Sequence, residues 1–223
     1  MSFNIKNLEP AMSNWEQRGN FLVSVAQRCL RGQKSFNLCR SHLVKASQIS
    51  KGTVYNHFTN EADLVVAVAI AEFRDFLQQA LQDEETYADP LHRFLYHHCW
   101  RMRDVLCNDR FVISRVMPNT DLLEQAGEYY QAAYNKAWND YNQWNKDLIR
   151  EMGEVQGFDR GTLVRNFVRG TMVNIDEGDT DCCDIELYHQ YCYALAQLLG
   201  HSDKRIPTRN ELSQWLIHLQ QAA

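Results

Sequence analysis

The sequence contains the segment Ala46-Ser47-Gln48-Ile49-Ser50-Lys51-Gly52-Thr53-Val54-Tyr55-Asn56-His57-Phe58, a pattern typical of a tight turn followed by a short helix. Ser50 is suited to cap that helix, because its hydroxyl can accept a hydrogen bond from an amide of the first turn. The next three residues, Lys51-Gly52-Thr53, place a cation, a bare backbone and a hydroxyl on this turn. Free amides at a helix N-terminus favour an anionic partner, so the segment predicts contact with phosphate.

The rest of this short helix is polar except along one edge. Val54 and Phe58 lie four residues apart and form its apolar ridge, whereas Tyr55 and His57 carry hydrogen-bonding groups. Such a helix packs along one edge and offers its other faces outward. The pattern is typical of a helix that enters the major groove of DNA.

The run from Ile49 to Phe58, followed by residues 60–64, resembles the signature of the tetracycline-repressor (TetR) family of bacterial transcription regulators. The resemblance covers about a quarter of the chain, residues 15–66. It implies a helix-turn-helix whose second half is the segment described above. It also implies that the remainder of the chain forms a body that holds a ligand pocket and a dimer interface.

The resemblance and the chemistry of this segment together predict which residues contact DNA. They are Arg40, Lys45, Ser50, Lys51, Gly52, Thr53, Tyr55 and His57. Lys51 and Thr53 are expected to reach phosphates or base edges, and Gly52 is expected to let the backbone approach closely. Tyr55 and His57 are expected to hold phosphates.

The charge distribution divides the chain into two parts. The 223 residues carry a net charge of −5, which taken alone disfavours binding to nucleic acid. Residues 1–60, however, hold eight basic and two acidic side chains, whereas residues 61–223 are acidic overall. A basic head on an acidic body is the electrostatic footprint of a DNA-binding module joined to a second domain. We therefore predict a helix-turn-helix DNA-binding domain over 1–60 and a helical ligand-binding and dimerisation domain over 61–223, with a connecting helix over 61–83.

The fold class is predicted to be all-α, with an N-terminal three-helix head joined by a long helix to a helical body. Only four prolines and ten glycines interrupt the chain, and the alternation typical of strands is almost absent. The helices are expected at about 15–30, 36–47, 50–58, 60–81, 90–107, 111–117, 121–152, 159–175, 184–199 and 208–221.

Aromatic residues recur along one helix of the predicted body. Tyr130, Tyr134 and Trp138 are four residues apart, and Ala133 and Ala137 between them leave room for a flat guest. Ordinary core packing is the alternative for each ring. Because the resemblance implies a pocket in the body, the candidate ligand-binding residues are Trp100, Met117, Tyr130, Tyr134, Trp138 and Phe167. The expected effector is a small hydrophobic or aromatic molecule.

The helices expected at 159–175 and 184–199 are apolar on more than one face and therefore need a second partner. The resemblance implies that the corresponding pair builds a four-helix bundle between two subunits. The candidate interface residues are Leu163, Phe167, Leu187, Tyr191, Leu195 and Leu198.

Other classes of function have little support in the sequence. There is no nucleophile elbow, Gly-rich phosphate loop or paired-carboxylate pattern, so no enzymatic activity is predicted. Neither the adjacent His97, His98 and Cys99 nor the acidic run 176–181 has the spacing of a metal site, so no metal and no cofactor is expected.

The sequence also gives an expectation for the compartment. The longest apolar run, Leu64 to Ala71, is too short to span a bilayer, and the N-terminus does not read as a signal peptide. We therefore expect a cytoplasmic protein without a membrane partner. Its seven cysteines contain no C-x-x-C pair and are expected to be mostly buried, reduced thiols, although a thiol redox sensor remains open.

Together these features predict a homodimeric, ligand-responsive DNA-binding transcriptional regulator, most simply a repressor on a palindromic operator. One alternative is a regulator of the same fold that is controlled by a protein partner or by thiol oxidation. The other is a helical enzyme or scaffold that merely retains the head.

Overall fold

The computed structural model describes residues 13–153, 159–178 and 180–221, and within these ranges every regular element is helical. The predicted all-α fold is therefore confirmed. The α-helices are α1 (Asn14–Leu30), α2 (Arg40–Ser47), α3 (Lys51–His57), α4 (Glu61–Thr86), α5 (Pro90–Cys107), α6 (Thr120–Gln125), α7 (Glu128–Glu151), α8 (Arg160–Glu177), α9 (Ile185–Leu198) and α10 (Arg209–Gln221). None of the helices in the described ranges has the length and apolar character needed to cross a membrane.

Helices α1, α2 and α3 form a small unit that we call the head. Leu22, Leu43 and Val54, one from each helix, are fully buried in its core. The turn between α2 and α3 is tight because Gln48 adopts the left-handed conformation, with φ of 58°. The sequence therefore folds locally as a helix-turn-helix, with α3 as its second helix.

Helix α4 joins the head to the remaining helices, which we call the body. Its 26 residues correspond to a length of about 39 Å. Asn60 and Asp63 form the expected reciprocal capping box at its start. The helix packs against α1 in the head and against α5 and α7 in the body. One continuous helix therefore belongs to both parts of the molecule.

The helix predicted over 36–47 is too long at its start, because the preceding loop is held against the body. The backbone amide of Gly32 donates to the carbonyl of Asp109 at 2.8 Å. The ring of Phe36 meets that of Phe111 edge-on, with 5.7 Å between the ring centroids. These contacts between residues distant in sequence fix an irregular loop, and α2 begins only after it.

The single helix predicted over 121–152 is divided into α6 and α7. The break falls at Gly127, whose backbone amide donates at 2.7 Å to the carboxylate of Asp63. This amide is thus bonded to a distant side chain, and the chain starts a new helix there. The prediction of one continuous helix was wrong at this point.

The segment 111–117 is also less helical than predicted, since only the 3-10 turn Ile113–Arg115 forms. Phe111, Val112 and Ile113 are consecutive and are all buried. The segment instead packs as a short irregular connection.

The carboxylate of Asp63 binds the head to the body. It accepts hydrogen bonds from the backbone amides of Thr59 at 2.7 Å, Asn60 at 3.3 Å and Gly127 at 2.7 Å, and from the Thr59 hydroxyl at 2.6 Å. Asp63 is only 1% exposed, so these donors replace water around the charge. The turn before α4 and the start of α7 are thereby fixed to one side chain.

The expectation of reduced cysteines is wrong for one pair. Cys107, at the end of α5, and Cys182, before α9, form a disulfide with 5.4 Å between their Cα atoms. Cys29, Cys39, Cys99, Cys183 and Cys192 are free.

We expect Asp63→Ala to lower the free energy of unfolding by about 3 kcal/mol, because buried amide donors lose a charged acceptor. Chemical denaturation measures this change. Glu124→Ala, which removes an exposed carboxylate from α6, is the control and should change stability by less than about 0.5 kcal/mol. Equal effects of the two substitutions would contradict the role given to Asp63.

Candidate functional site

The start of α3 lies open on the surface of the head. The Ser50 hydroxyl caps the helix by accepting from the Thr53 amide at 3.2 Å. Lys51 and Gly52 are exposed, and a Cβ added at Gly52 would meet no atom within 4 Å. The Lys51 ammonium lies 5.3 Å from the centroid of the Tyr55 ring. The arrangement leaves the first-turn amides and a cation accessible to an anionic partner.

We use the name recognition surface for the exposed or half-buried predicted residues of this region. They are Lys45, Ser50, Lys51, Gly52, Thr53 and Tyr55. All six lie on α2, on α3 or in the turn between them, so the helix-turn-helix brings them to one part of the head.

Arg40, which was predicted to contact DNA, has several partners within the protein. Its guanidinium lies 4.4 Å from the centroid of the Tyr55 ring. It donates to the backbone carbonyls of Phe58 and Thr59, and it forms an ion pair with Glu61 at 3.0 Å. Arg40 therefore supports the Tyr55 ring and ties α2 to the junction of α3 and α4.

His57 is not available to DNA, and the prediction that it holds a phosphate is wrong. Its side chain is 3% exposed, and its ring centroid lies 4.7 Å from that of Trp15 on α1. Burial lowers the pKa of His57, which favours the neutral imidazole. The side chain points into the head because α3 packs along this edge.

The backbone at the end of α3 is bonded to the body. The Tyr130 hydroxyl donates to the carbonyl of His57 at 2.7 Å, and the Asn60 side chain donates to the carbonyl of Gln125 at 2.9 Å. Tyr130 therefore joins α7 to the end of α3. This role differs from the ligand-binding role predicted for it.

A second junction connects the head to α8. The Lys34 ammonium, in the loop after α1, lies 2.6 Å from a carboxylate oxygen of Asp176 near the end of α8. Arg115 bonds the other oxygen of the same carboxylate at 2.8 Å. Asp176 is 8% exposed, whereas the Lys34 side chain is about half exposed.

A cavity of about 630 Å³ lies between α5, α7 and α8. Its apolar wall includes Phe73, Trp138 and Tyr141, and Met117 closes another side. Trp138 and Met117 were among the predicted ligand-binding residues, and their positions make them candidates for contact with a guest.

Four other predicted ligand-binding residues do not line this cavity. Tyr134 is 3% exposed and stacks on Trp138, with 6.3 Å between ring centroids. Phe167 stacks on Tyr191 at 5.9 Å. Trp100 lies beside a buried histidine of its own helix, and Tyr130 bonds the head. Helical spacing grouped Tyr130 and Tyr134 with Trp138, but it does not specify which of these side chains borders a cavity.

The sequence analysis missed the polar part of the cavity wall. These residues are His98, Arg101, Ser114, Asn142, Asn145, Lys146, Asp159, Thr162, Arg165, Asn166 and Arg169. One signal was present in the sequence. Asn142 follows Trp138 by four residues, Asn145 and Lys146 follow Asn142 by three and four, and Arg165 and Arg169 are four apart on α8. The cavity therefore has polar as well as apolar lining residues.

A buried hydrogen-bond chain runs from α4 to the cavity wall. Asp83 bonds His97 Nδ1 at 3.0 Å, His97 Nε2 bonds the Tyr141 hydroxyl at 2.9 Å, and Arg101 donates to that hydroxyl at 3.0 Å. Since Arg101 can only donate, the Tyr141 hydroxyl donates to Nε2, and His97 Nδ1–H donates to Asp83. Burial and the nearby Arg101 lower the pKa of His97, in agreement with this neutral tautomer.

The predicted dimer residues separate into two groups. Tyr191 and Leu195 are 4% and 0% exposed, so both belong to the core of one protomer and not to a surface. The residues that remain partly or largely exposed are Leu163, Phe167, Leu187 and Leu198. Tyr193 on α9, which the sequence analysis did not select, is 48% exposed.

No protein-family model matches the sequence, and no curated protein matches it either. Solved structures do match. FadR from Bacillus subtilis in complex with stearoyl-CoA has a TM-score of 0.58 and 14% identity, covering 79% of this chain and 96% of that chain. A TetR-family transcriptional regulator from Agrobacterium tumefaciens has a TM-score of 0.58 and 12% identity, covering 87% and 100%. RolR in complex with resorcinol has a TM-score of 0.54 and 17% identity, covering 87% and 97%.

These similarities extend over nearly the whole length of each matched chain. At identities of 12–17% they establish the architecture. The chain has the TetR-family fold, as the resemblance of its helix-turn-helix predicted.

Burial raises the pKa of the Asp83 carboxyl from 3.8 to about 6. The folded protein therefore holds this proton more tightly than the unfolded chain does, and stability from this group is lost as the pH rises through this interval. We expect the free energy of unfolding of the wild type, relative to that of Asp83→Asn, to fall by roughly 3 kcal/mol between about pH 4 and pH 7. Urea denaturation of both proteins across this range measures the difference. Parallel pH profiles would contradict the assignment.

Proposed function

We propose that this chain is a DNA-binding transcriptional regulator, acting as a repressor that binds a palindromic operator as a homodimer and releases it when a small molecule occupies the body. The single observation that carries the proposal is the open first turn of α3 within a helix-turn-helix. Its free amides, exposed Lys51 and accessible Gly52 suit a phosphate backbone and the major groove. No catalytic role is assigned, and a cytoplasmic location fits this function.

Two observations support a ligand in the body: the cavity, and the ligands bound in solved structures of similar fold. The volume of about 630 Å³ lies within the usual range for small-molecule sites. FadR from Bacillus subtilis was solved with stearoyl-CoA and RolR with resorcinol, so bodies of this architecture hold organic guests. We propose Trp138 and Met117 as contacts of the guest.

The proposed route from guest to DNA runs through helices that contact both the cavity and the head. Helix α7 carries Trp138 on the cavity wall and Tyr130 on the carbonyl of His57. Helix α8 lines the cavity and ends at Asp176, which binds Lys34 of the head. A guest that prefers one arrangement of α7 and α8 therefore biases the position of the head. The size of this effect is limited by the difference in its affinity for the two arrangements.

A homodimer is supported by an apolar stripe on α8 and α9. Leu163, Phe167 and Gly170 follow one another at helical spacing, and Leu163 is 37% exposed. Gly170 has open space beside it, and Ala194 on α9 is equally small, so a second copy can approach closely. Two heads held at a fixed distance would read the two halves of a palindrome.

Thiol control remains the second candidate because of the disulfide. The Cys107–Cys182 bond ties the end of α5 to the segment that leads into α9, and the exposed free Cys183 is adjacent to it. If reduction with a dithiol changed DNA affinity and no small molecule did, this alternative would replace the ligand-responsive one.

Lys51→Ala should weaken binding to a duplex that the wild type retains from fragmented genomic DNA. If Lys51 neutralises one phosphate, the slope of log affinity against log salt should become shallower by about one unit. Fluorescence anisotropy at several salt concentrations measures both quantities. Lys136→Ala, an equal change of charge on the exposed side of α7, is the control and should leave the slope unchanged. An unaltered slope for Lys51→Ala would remove this residue from the DNA interface.

Ala194→Arg should convert the dimer to a monomer, because it places a charged side chain in the proposed contact between two copies of α9. The half-exposed Ala194 packs little inside the protomer, so the far-UV circular dichroism should be retained. Sedimentation velocity at micromolar concentration gives the oligomeric state. Ala132→Arg on the exposed side of α7 should remain dimeric. A monomeric wild type would overturn the dimer proposal.

A further inference from the structure

The cavity between α5, α7 and α8 has a strongly basic wall. Arg101, Lys146, Arg165 and Arg169 line it, against a single carboxylate, that of Asp159. Asp159 also has a local role, since it caps α8 by accepting from the amide at the third position of the helix at 2.9 Å. The lining therefore carries a net positive charge of about three at neutral pH.

These four cations are not neutralised by ion pairs within the described ranges of the chain. Arg169 donates to the carbonyl of Ser114 at 2.8 Å, and Arg165 donates to the Thr162 hydroxyl at 2.9 Å. Elsewhere in the body the arginines do have carboxylate partners. Arg110, for example, lies 2.8 Å from Glu72 and 2.6 Å from Asp104. The cavity thus concentrates positive charge that the protein itself leaves uncompensated.

A buried polar side chain at this wall is also poorly satisfied. His98 is 2% exposed, and apart from an interaction with the Asn145 side chain neither of its ring nitrogens has a hydrogen-bond partner in the described part of the protein. The Nε–H of Arg101, on the same helix, is likewise buried and unbonded. Unpaired buried donors are unfavourable. A guest with an acceptor group would satisfy them.

The rest of the cavity lining is largely apolar and aromatic. Phe73 and Trp138 meet edge-on with 5.0 Å between ring centroids, and Ile149, Val164 and Val168 extend this surface. A guest that fills the cavity therefore contacts both cations and aromatic or branched aliphatic side chains.

We infer that the cavity binds an organic anion, in which a carboxylate, sulfonate or phosphate group faces the cations and a flat or branched apolar portion lies on the aromatic wall. This inference rests on the proposed function and specifies the chemical class of its effector. Lys146, Arg165 and Arg169 are the exposed cations of the lining, and His98 and Arg101 are its buried donors.

Two fluorescent probes that differ by one charged group test the inference. 8-Anilinonaphthalene-1-sulfonate is an aromatic sulfonate, and N-phenyl-1-naphthylamine is the same ring system without the sulfonate. Both are titrated into the full chain, and energy transfer from tryptophan to the probe is followed. Trp138→Phe should reduce the transfer efficiency for both probes, which locates them at this cavity.

The double variant Lys146→Gln, Arg165→Gln should weaken binding of the sulfonate probe by about tenfold, and binding of the uncharged probe by less than about twofold. Both side chains are exposed, so the fold should be unaffected. Lys136→Gln is the matched control, because it removes one cation from an exposed position of α7 outside the cavity. It should leave the affinity of both probes unchanged.

Three results would overturn the inference. The double variant could lose affinity equally for both probes, or lose no affinity for the sulfonate probe. Alternatively, neither probe could bind near Trp138. DNA binding is measured on the same wild-type preparation, with the genomic fragment that the protein retains. This measurement separates failure of the anion inference from failure of the proposed function. If the protein binds DNA but its affinity for the probes does not depend on the sulfonate, only the inference of an anionic effector is overturned. Absence of DNA binding would overturn the regulator itself.

Discussion

The structure depends on one buried carboxylate, that of Asp63, which lies where the head meets the body. It is 1% exposed and accepts from the Thr59 amide and hydroxyl, the Asn60 amide and the Gly127 amide. A buried charge requires such donors, because without them its desolvation would exceed any gain from burial. The same side chain therefore starts α4 and positions the start of α7. As a result, α3 cannot move without affecting the body.

Helix α4 is bonded at both ends, and this connects the head to the cavity. Near its start Asp63 fixes the turn after α3, and near its end Asp83 begins the hydrogen-bond chain through His97 and Tyr141 to Arg101. Arg101 belongs to the cavity wall. A guest that bonds this guanidinium thus contacts a network that ends on the helix carrying the head. The two states that a ligand must distinguish are different packings of these same helices.

Local features of the sequence predicted the head well, and contacts between distant residues explain the failures. The capping residues Ser50 and Asn60 and the short polar helix between them are encoded within a few positions, so the helix-turn-helix could be predicted. The break at Gly127 and the burial of His57 depend on partners far away in the chain. The cations of the cavity come from three helices, and periodicity along one helix cannot bring them together.

The measurement that tests the account most directly is selection of DNA from a random duplex library by the purified protein, followed by sequencing. The account predicts enrichment of one palindromic motif with two half-sites, retained at physiological salt and bound by two copies of the chain. An enriched motif would show that the open first turn of α3 reads sequence. Enrichment no greater than that of a mixture without protein, or retention that disappears at physiological salt without any motif, would contradict it.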